Sequence, residues 1–152
     1  MFSGIKSLTL DAKGRVAVPS RYRTQLQEAG EQELKVTLDF KERCLLVYSL
    51  SVWSSIEEQL SLLPGLDGTS QILKRTLIGH AEPAELDSHG RIHLPPLLRE
   101  ITGLEKNVVV VGLGNKFEIW DEARWKLQRQ ADLEQAQRHD FEVPPQLEEL
   151  AF

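Results

Sequence analysis

The sequence predicts an α+β fold, mainly β, that is built from two fused β-β-α-β-β half-units. The first observation is a ten-residue pattern that occurs twice, as LDAKGRVAVP at 10–19 and as LDSHGRIHLP at 86–95. The second is an aromatic residue placed five positions before a tryptophan in each half: Tyr48 before Trp53, and Trp120 before Trp125. Because a chain of 152 residues has the length of one ordinary domain, the two halves are expected to share a single core.

Turn-forming residues and a proline divide the first half-unit into four strands and one helix. Asp11 and Gly14 bound a turn. Pro19 both ends the following strand and opens a helix, because its ring fixes φ in the helical range. Gly30 is a typical C-terminal stop for that helix. The predicted elements are the strands Ser7–Leu10, Val16–Val18, Leu34–Phe40 and Cys44–Tyr48, and the helix Pro19–Ala29.

The second half-unit repeats this order. A turn at Asp87–Gly90 precedes a short strand, and the helix Pro96–Thr102 follows and ends at Gly103. Gly114-Asn115 favours a tight hairpin turn. The strands on either side of that turn are Asn107–Gly112 and Phe117–Trp120, and the run Val108–Val111 is typical of a strand buried on both faces.

Further helices are predicted outside the half-units. Helices Val52–Leu63 and Ser70–Ile78 flank a break at Pro64–Gly68. Asp121 can cap a helix that runs to about Arg138, and the acidic segment 140–152 is either disordered or an added contact segment. The predicted divisions are a first repeat at 5–51, a helical connector at 52–79, a second repeat at 80–123, and a C-terminal helix with an acidic tail at 124–152.

Charge is distributed unevenly along the chain. The net charge of −5 argues by itself against a nucleic-acid ligand. Residues 1–30, however, hold five basic and two acidic side chains, whereas residues 121–152 hold eight acidic and four basic ones. The beginning of the chain is therefore positive and its end negative, which weakens that argument.

Composition restricts the expected cellular setting. No stretch approaches the roughly 18 consecutive apolar residues of a membrane helix, and the first residues lack the basic start and apolar run of a secretory signal. Cys44 is the only cysteine, so an internal disulfide is impossible. We expect a cytoplasmic protein with no membrane contact.

The repeated loop contains two kinds of residue. Gly14 and Gly90 allow positive φ, and the aspartate three positions before each glycine can accept hydrogen bonds from the amides of the turn. A turn does not require the guanidinium groups of Arg15 and Arg91. Two interpretations stay open: each arginine pairs with the aspartate of its own loop, or it is held outward to meet a phosphate or a guanine edge, whose two acceptors match a planar fork.

Four features together resemble the MraZ family. They are the two D-x-x-G-R-x-x-x-P loops, the Met1-Phe2-x-Gly4 start, the Gly79-His80-Ala81 stretch, and the Val111-Gly112-x-x-Asn115-x-x-Glu118-Ile119-Trp120 segment. The resemblance covers nearly the whole chain. It implies two fused halves of the SpoVT/AbrB type that form a swapped-hairpin, double-psi-like β-barrel, and assembly of identical chains into a ring.

The same resemblance implies a function. Members of the family are regarded as bacterial transcription regulators that bind short G-rich direct repeats ahead of the division and cell wall gene cluster, and that associate with the nucleoid. The implied partners are double-stranded DNA and further copies of the same chain. No cofactor, metal, small-molecule substrate or enzymatic activity is expected.

Carried over by position, the resemblance assigns the leading DNA contact to Arg15. Its implied companions are Lys13 and Arg91. Lys6 and Arg21 are further candidate DNA contacts. The residues that organise the two loops are Asp11, Gly14, Asp87 and Gly90.

The two copies differ in charge. His89 stands where the first copy has Lys13, and Leu97 stands where it has Arg21. The second copy is therefore less basic near neutral pH, and either it contacts DNA or it chiefly completes the barrel.

Other chemistry has weaker support. His89 and His93 lie close enough along the chain to resemble a metal pair, but no third ligand follows at a suitable spacing. Asp11, Asp87 and the histidines are the acid and base candidates for an enzyme, yet there is no Gly-rich phosphate loop and no nucleophile elbow. The remaining interpretations are Cys44 as a small core residue, His80 as a packing or hydrogen-bonding residue, and His139 as part of a helix end.

Two alternatives concern surfaces. A pure interaction module of the antitoxin type could use the C-terminal helix and acidic tail. Five aromatic residues could form a stacking platform for bases, but their recurrence at strand and helix starts in both copies favours the core. They are Tyr48, Trp53, Phe117, Trp120 and Trp125.

Overall fold

Strands and helices alternate along the chain in two similar series. The computed structural model describes residues 1–41 and 43–150. The first series contains β1 (Phe2–Thr9), β2 (Arg15–Ala17), α1 (Ser20–Glu28), β3 (Glu33–Leu38) and β4 (Leu45–Ser49), followed by α2 (Leu50–Ser61) and α3 (Gly68–Leu73). The second contains β5 (Glu82–Glu85), β6 (Arg91–His93), α4 (Pro96–Thr102), β7 (Asn107–Gly114) and β8 (Lys116–Asp121), followed by α5 (Glu122–Ala136).

The two series exchange strands. The large sheet has the order β1-β7-β8-β4-β3-β5, and β2 pairs with β6 in a separate two-stranded ribbon. The first strand of each copy therefore pairs with the third strand of the other copy, antiparallel in both cases. Because β4 and β8 meet at the centre of the sheet, exchanging the two copies leaves the strand order unchanged. The predicted α+β class with exchanged hairpins is confirmed.

The core takes equivalent residues from both copies. Val16 and Ile92 are each 1% exposed, as are Tyr22 and Leu98. The predicted double-sided burial of β7 is confirmed, because the run Val108–Val111 is buried throughout. Neither half could bury these side chains alone, since each contributes only part of the sheet that covers them.

Aromatic packing follows the prediction with one exception. Tyr48, Trp53, Phe117 and Trp120 are buried, and the rings of Tyr48 and Trp53 lie 5.8 Å apart between centroids. Trp125 is only half-buried and belongs to a second structural unit that begins at Ala123. A core position for Trp125 was a wrong prediction, because the chain leaves the first unit before that residue.

Strand β1 is longer than the sequence predicts. The prediction of a strand over Ser7–Leu10 was wrong at its start, because β1 pairs with β7 from Phe2 to Thr9. Helix α1 fixes this segment, since the Tyr22 hydroxyl and Arg21 Nη2 donate to the Ser3 carbonyl at 3.0 and 2.7 Å.

The helices outside the half-units also differ at their ends. Helix α2 begins at Leu50 because the Ser49 side chain accepts from the Val52 amide at 3.4 Å. The predicted helix Ser70–Ile78 begins earlier as α3 and changes to a π-helical turn over Lys74–Ile78. The predicted hairpin turn is confirmed, with φ of 82° at Gly114.

The second unit contains most of α5 and the acidic tail. Residues 129–150 are exposed throughout, and Pro145–Leu147 form a single 3₁₀ turn. Ala151 and Phe152, the last residues of the predicted tail, lie outside the described residues. Among the described residues, no helix has the length and apolar character needed to cross a membrane.

Candidate nucleic-acid interface

The β2–β6 ribbon brings the two repeated loops together. Arg15 pairs with His93, and Ala17 pairs with Arg91, on either side of the central pair formed by Val16 and Ile92. The central pair is buried. Because successive side chains of a strand point to opposite faces, the flanking positions lie on the outer face of the ribbon. Both arginines are thereby placed on one surface.

The first arginine loop, residues 11–15, is closed by the side chain of Asp11. Its Oδ1 accepts from the amides of Lys13 and Arg15 at 3.0 and 2.8 Å, and its Oδ2 accepts from Arg15 Nε at 2.7 Å. The Gly14 amide donates to the Asp11 carbonyl at 3.0 Å, and Gly14 has a φ of 82°. These bonds fix the arginine relative to its own backbone.

The second arginine loop, residues 87–91, repeats this geometry. Asp87 Oδ1 accepts from the amides of His89 and Arg91 at 2.8 and 2.9 Å, and its Oδ2 accepts from Arg91 Nε at 3.0 Å. Gly90 has a φ of 73°. The same residue types at the same offsets therefore produce the same local structure.

Hydrogen bonding keeps both aspartates ionised. The amide of Arg15 is the largest influence that lowers the pKa of Asp11, and the amide of Arg91 has the same effect on the pKa of Asp87. In each loop the ionised carboxylate holds the guanidinium through Nε, and this bond does not use the Nη atoms. The side chains of Arg15 and Arg91 remain 31% and 30% exposed.

An arginine can therefore pair with the aspartate of its own loop and still have donors left for a phosphate or a guanine edge. In the part of the chain that the structure describes, Arg15 bonds to Asp11 through its amide and Nε, and its Nη atoms take part in no hydrogen bond or ion pair. Arg15 is paired with Asp11 through Nε, and its side chain is still partly exposed to solvent.

The two loops are not electrostatically equal. Arg91 Nη1 lies 3.8 Å from Asp11 Oδ2, so Arg91 interacts with the aspartates of both loops. Lys13 and His89 are both exposed. With a neutral histidine, the second loop has one basic and one acidic side chain, whereas the first has two basic and one acidic. The first loop offers more positive charge to a ligand.

Lys6 and Arg21 lie together elsewhere on the first unit. They line a depression of about 220 Å³ at the beginning of α1, together with Pro19 and Ser20. None of the residues of the two arginine loops lines it. The guanidinium of Arg21 also lies 5.9 Å from the centroid of the Tyr22 ring, so this arginine has a structural role.

Sequence reasoning missed the role of two further arginines. Arg99 Nε donates to the Leu94 carbonyl at 3.0 Å, and Arg23 Nε donates to the Val18 carbonyl at 3.0 Å. Their guanidinium groups lie against the loop glycines of the opposite copy. The equivalence of Arg23 and Arg99 in the repeat was the available signal.

A polar cluster with two buried members was also missed. One ligand-type atom from each of Asp39, Cys44 and Glu118 lies within 4.8 Å of the others. Burial raises the pKa of Glu118, although Glu118 Oε1 accepts from Trp120 Nε1 at 2.9 Å. Cys44 is buried as predicted, and neither His89 nor His93 belongs to this cluster.

His80 has a hydrogen-bonding role. Its Nδ1 lies 2.9 Å from the Thr76 carbonyl oxygen. This contact agrees with the interpretation of His80 as a packing or hydrogen-bonding residue.

The exchanged strands and the paired arginine loops define a tandem-repeat protein of the swapped-hairpin class. A family model described as "MraZ protein, putative antitoxin-like" matches residues 1–76 and again residues 77–143. The chain belongs to the MraZ family, as its motifs predicted.

Three relatives show the extent of the similarity, and each is named Transcriptional regulator MraZ. The relative from Halorhodospira halophila is 50% identical over 153 residues and covers 100% of both chains. That from Coxiella burnetii (strain Dugway 5J108-111) is 42% identical over 152 residues, again with 100% of both chains. That from Thioalkalivibrio sulfidiphilus is 52% identical over 125 residues, covering 82% of this chain and 83% of the relative.

Proposed function

We propose that this chain is a sequence-specific DNA-binding transcriptional regulator. It acts as a ring-like homo-oligomer on short G-rich direct repeats upstream of the division and cell wall gene cluster, and it is located on the nucleoid in the cytoplasm. The observation that carries the proposal is the fixed arginine of the first loop, held by Asp11 through Nε. Family membership and the names of the relatives support the regulatory role.

The geometry of Arg15 suits a guanine edge. A guanidinium donates two parallel hydrogen bonds to the O6 and N7 acceptors of guanine in the major groove, and each such contact contributes about 1–3 kcal/mol of discrimination. Because Asp11 already orients the side chain, less rotamer entropy is lost on binding. Arg15 therefore specifies sequence, and Arg91 adds a contact from the same ribbon.

The other basic residues contact phosphates. Lys13 is exposed at the tip of the first loop, and Lys6 and Arg21 line the depression at the start of α1. Phosphate contacts set position and affinity without reading sequence. This division of roles concentrates specificity in the arginine loops.

Assembly reconciles DNA binding with the acidic net charge of −5. When several chains of one ring bind successive repeats, each later contact forms at the effective concentration set by the first. Weak individual contacts then suffice, provided that the spacing of the DNA repeats matches the spacing of the chains. Within each chain the first loop, with two basic side chains and one acidic one, supplies a local excess of positive charge for the DNA.

A salt titration tests the proposal. Binding of a fluorescent duplex with three G-rich direct repeats is measured by fluorescence anisotropy at salt concentrations from about 50 to about 300 mM. The expected result is a steep negative slope of log affinity against log salt, with Arg15→Ala abolishing the preference for the G-rich duplex over a scrambled one. Sedimentation of the free protein gives the assembly state independently.

Two outcomes would contradict the proposal. The absence of a salt slope would favour a protein-interaction module of the antitoxin type, the alternative to which the family description points. Equal affinity of wild-type protein for both duplexes would remove the sequence-specific role.

A further inference from the structure

We infer that each arginine loop is positioned by an arginine of the opposite repeat: Arg99 holds the first loop, and Arg23 holds the second. Arg99 and Arg23 are positioning residues in this inference, not base-contacting ones. The inference rests on the proposed function for its effect on DNA binding, but the positioning itself is a property of the fold.

Arg99 lies directly against the backbone of the first loop. A Cβ atom built on Gly14 would stand 2.6 Å from Arg99 Cζ and 2.8 Å from Arg99 Nε, closer than van der Waals contact allows. The guanidinium thus occupies the space that a side chain at residue 14 would need. The missing Cβ of Gly14 serves two purposes, because the residue also adopts a positive φ of 82°.

The opposite repeat contacts the same glycine at a second point. The Leu94 amide donates to the Gly14 carbonyl at 2.8 Å, and the Leu94 carbonyl accepts from Arg99 Nε at 3.0 Å. Leu94 and Arg99 are therefore joined by a hydrogen bond, and both contact Gly14. Leu94 binds its carbonyl, and the Arg99 guanidinium packs against its Cα. Arg15 is the next residue in the chain, so these two residues set the start of β2 from outside its own repeat.

The second loop shows the mirrored arrangement. A Cβ atom built on Gly90 would stand 2.5 Å from Arg23 Cδ and 2.6 Å from Arg23 Nη1. The Val18 amide donates to the Gly90 carbonyl at 2.9 Å, and the Val18 carbonyl accepts from Arg23 Nε at 3.0 Å. The same two hydrogen bonds and the same approach of an arginine to a glycine occur twice, once in each direction. This repetition makes an accidental approach of a surface side chain a poor explanation.

The duplication makes the inference testable by a crossed comparison. If Arg99 acts through Arg15, the losses of DNA affinity from Arg99→Ala and Arg15→Ala are not additive, whereas those from Arg99→Ala and Arg91→Ala are additive. The reverse pattern is expected for Arg23→Ala. We expect Arg99→Ala to weaken binding about tenfold in the wild-type background and less than about twofold in the Arg15→Ala background.

Salt dependence separates positioning from direct phosphate contact. A residue that neutralises a phosphate reduces the magnitude of the salt slope by about one when it is removed. Arg99→Ala is expected to leave the slope unchanged while lowering affinity. A reduced slope together with additivity in the Arg15→Ala background would overturn the positioning role and assign Arg99 to the DNA backbone.

A second measurement needs no DNA. Amide hydrogen exchange in the assembled protein should rise over residues 11–15 in Arg99→Ala and over residues 87–91 in Arg23→Ala, with little change at the other loop. Faster exchange at both loops in each variant would show general destabilisation and contradict the crossed roles. This readout decides the inference even if Arg15→Ala leaves DNA binding intact, which would refute only the proposed function.

A glycine variant provides a matched control if Arg99→Ala folds poorly. Gly14→Ala displaces the flexible end of Arg99, whereas Gly30→Ala introduces the same backbone strain at φ 70° with no atom within 4 Å. Both should lower stability similarly, but only Gly14→Ala should weaken DNA binding. Equal DNA binding by the two variants would contradict the importance of the contact with Arg99.

Discussion

The two repeats share a backbone and differ in the side chains that face solvent and the centre of the sheet. Their loops have the same hydrogen bonds within a few tenths of an ångström. The first repeat, however, has Lys13 where the second has His89, and the second has the buried acid Glu118 where the first has Leu46. The duplication therefore gives both copies the same loop geometry, and the substitutions give the two copies different charges.

The two arginine loops also differ in their ion pairs. Asp11 Oδ2 lies 2.7 Å from Arg15 Nε and 3.8 Å from Arg91 Nη1. Because Arg91 interacts with two carboxylates, more of its charge is neutralised within the chain. Arg15 therefore keeps the larger share of charge for an external anion, and the first loop is expected to lead.

The largest expected difference is between Arg15→Ala and Arg91→Ala. Each removes a guanidinium from the ribbon, and loss of one bidentate guanine contact costs about 1–3 kcal/mol per chain. In a multivalent assembly that loss multiplies, so Arg15→Ala should reduce affinity for a G-rich repeat by at least about a hundredfold, and Arg91→Ala by about tenfold. Anisotropy at fixed salt measures both, with melting temperatures expected to change little. Equal losses of affinity would show that the two loops contribute equally to DNA binding and would contradict a leading role for the first.

The aspartates should show the next largest difference. Asp11→Asn removes the charge that orients Arg15 and faces Arg91, whereas Asp87→Asn removes an ion pair with Arg91 and none with Arg15. We expect Asp11→Asn to lower the preference for G-rich over scrambled DNA about tenfold, and Asp87→Asn to lower it less. Competition binding with the two duplexes gives this ratio, and a larger effect of Asp87→Asn would reverse our assignment.

The lowered pKa values of these aspartates give the sign of an acid effect. A carboxyl with a depressed folded pKa stabilises the folded state above its unfolded pKa, and this contribution is lost as pH falls through the folded pKa. The loops should thus stay ordered from neutral pH down to the usual range of aspartate and loosen only below it. Hydrogen exchange at the two loops during acidification would detect an earlier loss.

Exchanging the third loop residue should produce a smaller change. His89→Lys gives the second loop the charge of the first, and Lys13→His does the opposite. One additional phosphate contact per chain steepens the salt slope by about one, so His89→Lys should tighten binding several-fold at low salt and Lys13→His should weaken it. If neither substitution alters the slope, the loop tips do not meet phosphate.

The smallest expected effect concerns the buried acid of the second repeat. Burial raises the pKa of Glu118, so its contribution to stability is present below the unfolded pKa and is lost as pH rises through the folded pKa. Glu118→Gln should remove that pH dependence and raise stability at neutral pH by about 1 kcal/mol. Thermal melts across pH measure the effect. An unchanged pH profile would show that the acid titrates alike in both states.

Local contacts explain what the sequence could predict. The loop bonds join residues at most four positions apart, so Asp, Gly and Arg at fixed offsets suffice to predict them. The start of β1 could not be predicted in this way, because residues 2–9 are mostly exposed and have no apolar alternation. They form a strand because β7 lies beside them, although the paired residues are far apart in the chain, from Thr9 with Asn107 to Phe2 with Gly114.

The same distinction applies to the site. The repeat alignment already matched Arg23 with Arg99, but their contacts with Gly90 and Gly14 depend on the exchange of hairpins. The polar cluster of Asp39, Cys44 and Glu118 likewise depends on the pairing of β4 with β8. Offsets within one copy contain no information on contacts between copies.

Photo-cross-linking is the most direct test of which surface binds DNA. A photoreactive phenylalanine analogue would replace Ala12 at the tip of the first loop, Ser88 at the same position of the second loop, or Ala131 in α5, all three of which are exposed. With a G-rich direct repeat, the predicted cross-link yield is highest at Ala12, lower at Ser88 and at background for Ala131. Background yield at both loop tips with strong cross-linking at Ala131 would contradict the assignment of DNA binding to the arginine loops.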